Sequence, residues 1–173
     1  MRLTKLILIG FMGSGKSTLA KLIAERIGFT VIDADHEIVK ISEYSSISEI
    51  IQKSNEAHFR DLESQVAASL QLASSVVIAT GGGVIGRAEN MSHLTHGGGA
   101  VVFLDTSFAE ACRRIPDRSS RPLLHDLVTA ERLYNERLAV YQHYADFTVI
   151  TDTKTLEMIC SEIITWLNTH YEL

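Results

Sequence analysis

The stretch that decides the fold is Gly10-Phe11-Met12-Gly13-Ser14-Gly15-Lys16-Ser17, which fits the phosphate-loop pattern G-x-x-x-x-G-K-[ST] at every defined position. It follows the apolar run 6–9 and opens a helical pattern, which is the setting in which this pattern binds phosphate. Glycine lets successive backbone N–H groups turn towards phosphate oxygens, and the positive end of the following helix adds to the attraction. The stretch predicts a P-loop for ATP or GTP, and a chance glycine-rich turn is the weaker explanation.

The residue types in this loop suggest roles with a nucleotide and a metal ion. Lys16 is expected to reach the β- and γ-phosphates, and the Ser17 hydroxyl is expected to ligate Mg²⁺. The other loop residues expected to bind ATP are Gly13, Ser14, Gly15 and Thr18. No asparagine is followed by lysine, so the Asn-Lys-x-Asp motif of GTPases is absent, as is the Ser-Gly-Gly signature of transport ATPases. The sequence therefore favours a kinase that acts on a small acceptor.

Outward from the loop, short apolar runs alternate with helical patterns. The runs lie at 6–9, 30–32, 76–79, 100–104 and 147–150. Residues that are apolar at consecutive positions suit strands buried on both faces, as in a parallel sheet. Helical patterns begin near residues 16, 59, 133 and 156, and Ser46-x-x-Glu49 and Ser107-x-x-Glu110 match the capping box. This alternation predicts an α/β fold with right-handed crossovers.

Length and charge limit the remaining function classes. The chain has 173 residues and a net charge of −5, whereas nucleic-acid binding usually needs a basic excess. No apolar run approaches the ~20 residues of a membrane-spanning helix, and the N-terminus lacks the features of a signal peptide. Cys112 and Cys160 are expected to be reduced thiols. We expect a cytoplasmic protein with one domain, residues 1–173, and neither nucleic-acid nor membrane partners.

Two acidic residues, Asp33 and Asp35, follow the second predicted strand. On an extended segment both carboxylates would lie on one side, facing the ligand crevice at the carboxyl end of the sheet. One would hold Mg²⁺ and the other would accept the proton of the acceptor hydroxyl. The alternative is that they cap a helix N-terminus. Asp105, after an apolar run that resembles a Walker B strand, is a rival metal carboxylate.

Three further features suggest an anion site and a lid. Arg60 lies between Glu56 and Glu63 at helical spacing, either as an oriented anion clamp or as a surface ion-pair helix. The glycines 81–83 follow a strand and leave bare backbone amides there, or they form only a flexible turn; the second triplet, 97–99, is expected to be a turn. Four arginines (113, 114, 118 and 121) lie among prolines and serines. They predict a mobile lid over about 112–125, with a basic surface patch as the alternative.

Taken in order, these motifs resemble the shikimate kinase family over roughly residues 5–145. The resemblance rests on the P-loop at 10–18, Asp-x-Asp at 33–35, Glu56-x-x-Phe59-Arg60-x-x-Glu63, the glycines 81–83, Arg121-Pro122-Leu123-Leu124, and Arg137 with Tyr141. It implies a nucleoside-monophosphate-kinase-like, three-layer α/β/α fold. The implied sheet has five parallel strands in the order 2-3-1-4-5, with a substrate-binding helical region at about 33–61, a lid and a monomeric state.

The resemblance also implies the reaction and the residues that perform it. ATP would phosphorylate the 3-hydroxyl of shikimate, with Mg²⁺ held by Ser17 and Asp33. Asp35, Lys16 and Arg121 would be catalytic, and Arg114 and Arg121 would contact ATP. Shikimate would be bound by Asp35, Arg60, Gly81, Gly82, Gly83 and Arg137. The alternatives are a gluconate or nucleoside monophosphate kinase, and a nucleotide-binding regulatory module without catalysis.

The sequence departs from the family pattern at two positions. Asn55 replaces the glycine before Glu56, and we expect it to be tolerated because asparagine adopts the left-handed backbone region more readily than most residues. A proline is missing between Arg137 and Tyr141, which leaves the local helix geometry open. Neither change removes a group that does chemistry.

Overall fold

The computed structural model describes residues 2–115 and 126–172. The strands are β1 Lys5–Ile9, β2 Thr30–Asp33, β3 Val76–Ala79, β4 Gly99–Asp105 and β5 Phe147–Ile150. The helices are α1 Lys16–Ile27, α2 Ala34–Ile41, α3 Ile47–Lys53, α4 Glu56–Ser69, α5 Ala88–Thr95, α6 Phe108–Arg114, α7 Leu127–Tyr144 and α8 Leu156–His170. A 3₁₀ turn, Val84–Gly86, lies between β3 and α5.

The strands form one parallel sheet with the order β2-β3-β1-β4-β5, as the family resemblance implied. The central strand is β1, where Ile7 pairs with Ile78 of β3 and with Val101 of β4. Because all strands run in the same direction, their carboxyl ends meet at one edge of the sheet. Asp33 and Asp105 end β2 and β4 at that edge, and the P-loop and the glycines 81–83 follow β1 and β3 there.

Helices cover both faces of the sheet, which explains why its strands are apolar at consecutive positions. Ile7 and Ile9 face an apolar cluster formed with α2, α4, α5 and neighbouring helices. Leu6 and Leu8 face the opposite cluster, which is formed mainly with α1 and α8. Every residue of β1 is buried. The predicted three-layer α/β/α architecture is confirmed.

The helix predicted after the P-loop begins and ends where the sequence indicated. α1 starts at Lys16, directly after Gly15, whose φ is 90°. It ends before Gly28, whose φ of 72° places it in the left-handed region and whose N–H bonds to the carbonyl of Ala24. Glycine adopts this conformation without the steric penalty of a Cβ, so Gly28 is an effective stop signal.

Two local expectations are wrong. Asp35 lies in the first turn of α2 and not on an extended segment, because α2 already begins at Ala34. Asn55 has a φ of −173°, so it is extended and not left-handed. It caps α4 by accepting a hydrogen bond from the N–H of His58, at 2.8 Å, which explains why asparagine is acceptable there.

The two predicted capping boxes form only one of their two bonds. Ser46 and Ser107 accept the N–H groups of Glu49 and Glu110, as expected. The side chain of Glu49, however, bonds to Ser45, and that of Glu110 is drawn to arginines of its own helix. Charged partners one turn along the helix, Lys53 for Glu49 and two arginines for Glu110, compete successfully for these carboxylates.

Within the described part of the chain, no helix has both the length and the apolarity to cross a membrane.

Candidate active site

The P-loop is a tight cradle that depends on glycine. Gly10, Gly13 and Gly15 have φ values of 147°, 80° and 90°. A Cβ at Gly13 would lie 2.6 Å from the carbonyl oxygen of Ala111, so the loop also packs too closely for a side chain there. The backbone N–H groups of the loop lie at the start of α1, so the positive end of this helix points into the same cradle. This geometry fits a polyphosphate.

Lys16 lies inside this cradle. Its buried Nζ donates hydrogen bonds to the carbonyl oxygens of Gly10 and Phe11, at 2.8 and 2.9 Å, and to Ser14 Oγ at 3.2 Å. The ammonium is therefore held at the centre of the loop by the loop's own oxygens. This is the position from which it meets phosphate groups bound by the surrounding N–H groups.

Ser17 and Asp33 are brought together, which joins α1 to β2. Ser17 Oγ donates to Asp33 Oδ2 at 2.7 Å. Asp33 Oδ1 meanwhile accepts the N–H groups of Asp35 and His36, so Asp33 is also the N-cap of α2. The helix-cap alternative and the metal-ligand prediction for Asp33 are thus compatible, because each uses a different carboxylate oxygen.

The rival carboxylate, Asp105, has a different neighbour. Burial raises its pKa, and the negative charge of Asp152 raises it further. The Ser17–Asp33 pair is a hydroxyl beside a carboxylate, and such hard oxygen ligands suit Mg²⁺. Among the described residues no group of three His, Cys, Asp or Glu side chains forms a metal cluster. Mg²⁺ at a P-loop needs none, because phosphate oxygens and waters complete its coordination.

The glycines 81–83 connect the functional groups, and each faces a different one. A Cβ at Gly81 would lie 3.0 Å from Asp35 Oδ1 and 3.1 Å from Glu63 Oε1. At Gly82 it would lie 3.4 Å from the carbonyl oxygen of Gly10 in the P-loop. At Gly83 it would lie 2.2 Å from Arg60 Nη1. The turn therefore brings the acidic residue, the phosphate cradle and the arginine side by side.

Arg60 and Glu63 form a partly buried ion pair on α4. Arg60 Nη1 donates to Glu63 Oε2 at 2.8 Å, and the guanidinium lies 4.8 Å from the ring centre of Phe59. Glu63 is 3% exposed, and no hydrogen-bond partner for its Oε1 is present among the described residues. Burial raises the pKa of Glu63, although Arg60 opposes the shift. Glu63 thus orients Arg60 and leaves one buried oxygen on the site side.

Arg137 reaches the same place from α7. Burial raises the pKa of both Glu63 and Tyr141, and the positive charge of Arg137 partly opposes each increase. Burial nevertheless raises the pKa of Tyr141 to about 12, so its hydroxyl stays protonated and donates to the carbonyl oxygen of Gly82 at 2.5 Å. Arg60 and Arg137 together surround one buried carboxylate. Arg60 also pairs with Glu56, whose side chain is 69% exposed, at 3.2 Å. The site thus contains two guanidinium groups, the donors that bind a carboxylate.

A cavity of about 460 Å³ lies on the other side of the P-loop. Gly13, Gly15 and Thr18 form one wall, and Arg114, Lys154 and Leu156 contribute to the rest. The Arg114 guanidinium is fixed by Glu110 at 2.8 Å and by the carbonyl oxygen of Thr151 at 2.9 Å. A flat cation held in a cavity that joins the phosphate cradle suits the base and ribose of a nucleotide.

Several of these residues were not predicted from the sequence. Glu110, Asp152, Lys154 and Leu156 line the cavity, and Glu110 also fixes Arg114. Asp152 and Lys154 directly follow β5, so the rule that parallel strands direct their carboxyl ends to one edge would have identified them. Arg113 pairs with Glu110. Of the glycines 97–99, Gly97 and Gly98 lie in the expected turn, and Gly99 already begins β4. Arg118, Arg121 and most of the predicted lid lie outside the described residues.

Comparison with known proteins gives consistent matches. A family model described as shikimate kinase matches residues 12–168. A shikimate kinase of Geobacter metallireducens is 39% identical over 163 residues, covering 93% of this chain and 90% of the relative. One from Persephonella marina is 37% identical over 158 residues, covering 91% and 94%. The solved structure of a shikimate kinase from Acinetobacter baumannii in complex with shikimate has a TM-score of 0.89 and 30% identity, covering 96% of this chain and 94% of that one.

Proposed function

The chain belongs to the shikimate kinase family, and on this premise we propose that it transfers the γ-phosphoryl group of ATP to the 3-hydroxyl of shikimate. The observation that carries the proposal is the glycine turn 81–83, which lies against Asp35, the P-loop and Arg60 at once. The loop that would bind ATP, the carboxylate that would accept the hydroxyl proton and the arginine that would bind the acid group therefore all border one short segment. ADP and shikimate 3-phosphate would be the products.

We propose that the acid group of shikimate binds between Arg60 and Arg137. A guanidinium binds a carboxylate through paired hydrogen bonds, which an ammonium cannot reproduce. Glu63 and Phe59 restrict the rotation of Arg60, so little conformational entropy is lost on binding. Backbone groups of Gly81, Gly82 and Gly83 would line the ring, since no side chain intervenes.

Asp35 is the proposed partner of the 3-hydroxyl. Its Oδ1 borders Gly81, between the acid clamp and the P-loop. There it would orient the hydroxyl towards the γ-phosphorus and accept its proton. Phosphoryl transfer depends chiefly on such positioning and on charge stabilisation, which Lys16 and Arg121 would supply. Gly13, Ser14, Gly15, Ser17, Thr18 and Arg114 complete the proposed ATP site.

Ser17 and Asp33 would hold Mg²⁺, which supplies charge neutralisation of the nucleotide phosphates when bound. The pair already places a hydroxyl and a carboxylate oxygen 2.7 Å apart. We further propose that residues 1–173 act as one P-loop kinase domain, with the substrate-binding region at about 33–61 and a lid at about 112–125. We also propose a cytoplasmic monomer, the monomeric state being what the family resemblance implies. The net charge of −5 supports the proposal that it does not bind nucleic acid.

An acceptor screen tests this proposal. ADP release is measured by a coupled assay with shikimate, gluconate and nucleoside monophosphates as separate acceptors, and shikimate alone is expected to support turnover. Asp35→Asn is expected to bind ATP normally but to lose turnover, because the amide cannot take the proton. No turnover of the wild-type protein with shikimate would end the proposal, and normal turnover of Asp35→Asn would remove the role of Asp35.

A further inference from the structure

The acid clamp requires a fixed distance between two separate elements. Arg60 lies on α4, whereas Gly83 lies on the turn after β3, and a Cβ at Gly83 would come within 2.2 Å of Arg60 Nη1 and 2.5 Å of Nη2. The guanidinium therefore rests directly on the backbone of the turn. A movement of α4 by a few tenths of an ångström would change this contact and the direction of the guanidinium.

Arg87 joins these two elements. It follows the 3₁₀ turn Val84–Gly86, and its Nη1 donates to the carbonyl oxygen of Arg60 at 3.1 Å and to Ser64 Oγ at 3.0 Å. The first acceptor belongs to the clamp residue itself. A helical carbonyl oxygen has a second lone pair, so it can accept this bond without losing its bond within α4.

A third contact of Arg87 is an ion pair that is expected to matter less. Nη1 lies 2.9 Å from Asp61 Oδ1, but the Arg87 and Asp61 side chains are 40% and 60% exposed. Ion pairs this exposed stabilise a structure little because water screens them. Positioning by Arg87 therefore depends on the two bonds to Arg60 and Ser64.

The turn that carries Arg87 is held from its other side as well. Asn90, which is fully buried on α5, donates from Nδ2 to the carbonyl oxygen of Val84 at 3.1 Å. The N–H of Asn90 bonds to the carbonyl oxygen of Arg87. The segment between Gly83 and α5 is thus restrained along its length, so the reach of Arg87 to α4 sets the spacing between turn and helix.

We propose that Arg87 is a positioning residue for the carboxylate clamp, fixing Arg60 at the depth against Gly83 at which it binds the acid substrate. The inference rests on the proposed function, since the substrate acid is that of shikimate. Arg87 acts through Arg60 and through the spacing of the turn. Its loss should weaken acid binding and leave nucleotide binding intact.

Steady-state kinetics of Arg87→Met test the inference. Methionine keeps much of the apolar stem and removes all donors. We expect the KM for shikimate to rise about tenfold, equivalent to about 1.4 kcal/mol, with the KM for ATP and kcat within about twofold of wild type. Arg87→Lys should restore most of the affinity, because one nitrogen makes all the contacts and an ammonium carries three donors. Ser64→Ala should give a smaller rise that is not additive with Arg87→Met.

Two variants serve as controls. Asp61→Asn removes only the charge of the exposed partner, and Arg132→Met removes a different exposed arginine, whose nearest partner is Glu136 at 3.8 Å. Arg132→Met, which lies outside the proposed substrate-binding region, should keep the wild-type KM values. Asp61→Asn should change the KM for shikimate less than Arg87→Met does. An unchanged KM for shikimate in Arg87→Met, or equal rises in both KM values with a lowered Tm, would overturn the inference while leaving the proposed function intact. A wild-type protein that does not phosphorylate shikimate would overturn both.

Discussion

Glycine is required at position 83 because a neighbouring side chain needs the space, and not because of the backbone conformation. Its φ of −99° is accessible to any residue. The space that a Cβ would fill is taken by the Arg60 guanidinium, at 2.2 Å from Nη1. This differs from Gly13 and Gly15, whose positive φ values alone favour glycine. The glycines 81–83 therefore form a turn and also leave the space in which charged side chains lie.

Gly83→Ala should displace Arg60 and raise the KM for shikimate by about tenfold or more, because the added methyl group would occupy the space in which the Arg60 guanidinium lies. The KM for ATP should stay within about twofold of wild type. Gly86→Ala is the matched control, because a Cβ at Gly86 meets no atom within 4 Å among the described residues. Steady-state kinetics with each substrate varied separately give the comparison. Equal kinetics for the two variants would contradict the proposal that the missing side chain at Gly83 positions Arg60 for acid binding.

The sequence predicts the residues of this site better than it predicts their contacts. The P-loop pattern predicts that Lys16 and Ser17 lie where the loop meets α1, as the structure has them, because those residues are adjacent in the chain and their geometry is local. The pairing of Ser17 with Asp33 follows from parallel strands meeting at one edge. The approach of Gly83 to Arg60 joins two elements whose spacing depends on packing, so no local pattern contains it.

At the scale of elements, α6 and the loop after β5 together form a wall of the cavity that we propose for the nucleotide. Glu110 on α6 accepts hydrogen bonds from Arg113 and Arg114, and Arg114 reaches across to Thr151 after β5. Hydrogen bonds from Arg113 and Arg114, the former contributing more, lower the pKa of Glu110 to about 2. Glu110 therefore remains ionised, and holds Arg114, down to a pH far below neutral.

Glu110→Gln should raise the KM for ATP several-fold, about three- to tenfold, because a neutral amide holds Arg114 less firmly. The KM for shikimate should not change, since the acid clamp lies on the other side of the P-loop. Glu49→Gln is the matched control: Glu49 is also a first-turn glutamate whose pKa is lowered to about 2, but it pairs with Lys53 on α3. If both variants change the KM for ATP alike, Glu110 has no specific role.

The elements differ in how well the sequence predicts them. All five strands and the helices α1, α4, α7 and α8 are predicted, because buried strands and long amphipathic helices repeat their pattern over many residues. The short helices α2, α3, α5 and α6 are not assigned from their apolar patterns, although the capping boxes at Ser46 and Ser107 mark the starts of α3 and α6. Each of the four spans eight residues or fewer, so its apolar face gives too few repeats to identify. For α2 this error also placed Asp35 on the wrong kind of backbone.

At the scale of the whole molecule, the net charge of −5 conceals a place where two arginines converge. Arg60 and Arg137 both act on Glu63, the one glutamate that is buried among the described residues. Burial raises the pKa of Glu63 in the folded chain, so the folded state binds this proton more tightly than the unfolded state does. Its contribution to stability is then present at low pH and lost as the pH rises.

Glu63→Gln should remove this pH dependence. Between pH 4.5, the ordinary pKa of the carboxyl, and the raised pKa of Glu63, the wild-type free energy of unfolding should fall relative to that of the variant as the pH increases. Urea unfolding of both proteins across this window gives the difference, in which other titrating groups cancel. A difference that is constant or rises with pH would contradict the assigned direction of the shift.

The identity of the product tests the proposed phosphoryl transfer directly. Wild-type protein is incubated with shikimate, ATP and Mg²⁺, and the product is analysed by phosphorus-coupled NMR. We expect one phosphate ester, on the oxygen at carbon 3, formed in equal amount to ADP, because the proposed acid clamp and Asp35 together fix which hydroxyl faces the P-loop. Unmodified shikimate, or an ester on another oxygen, would contradict the proposal.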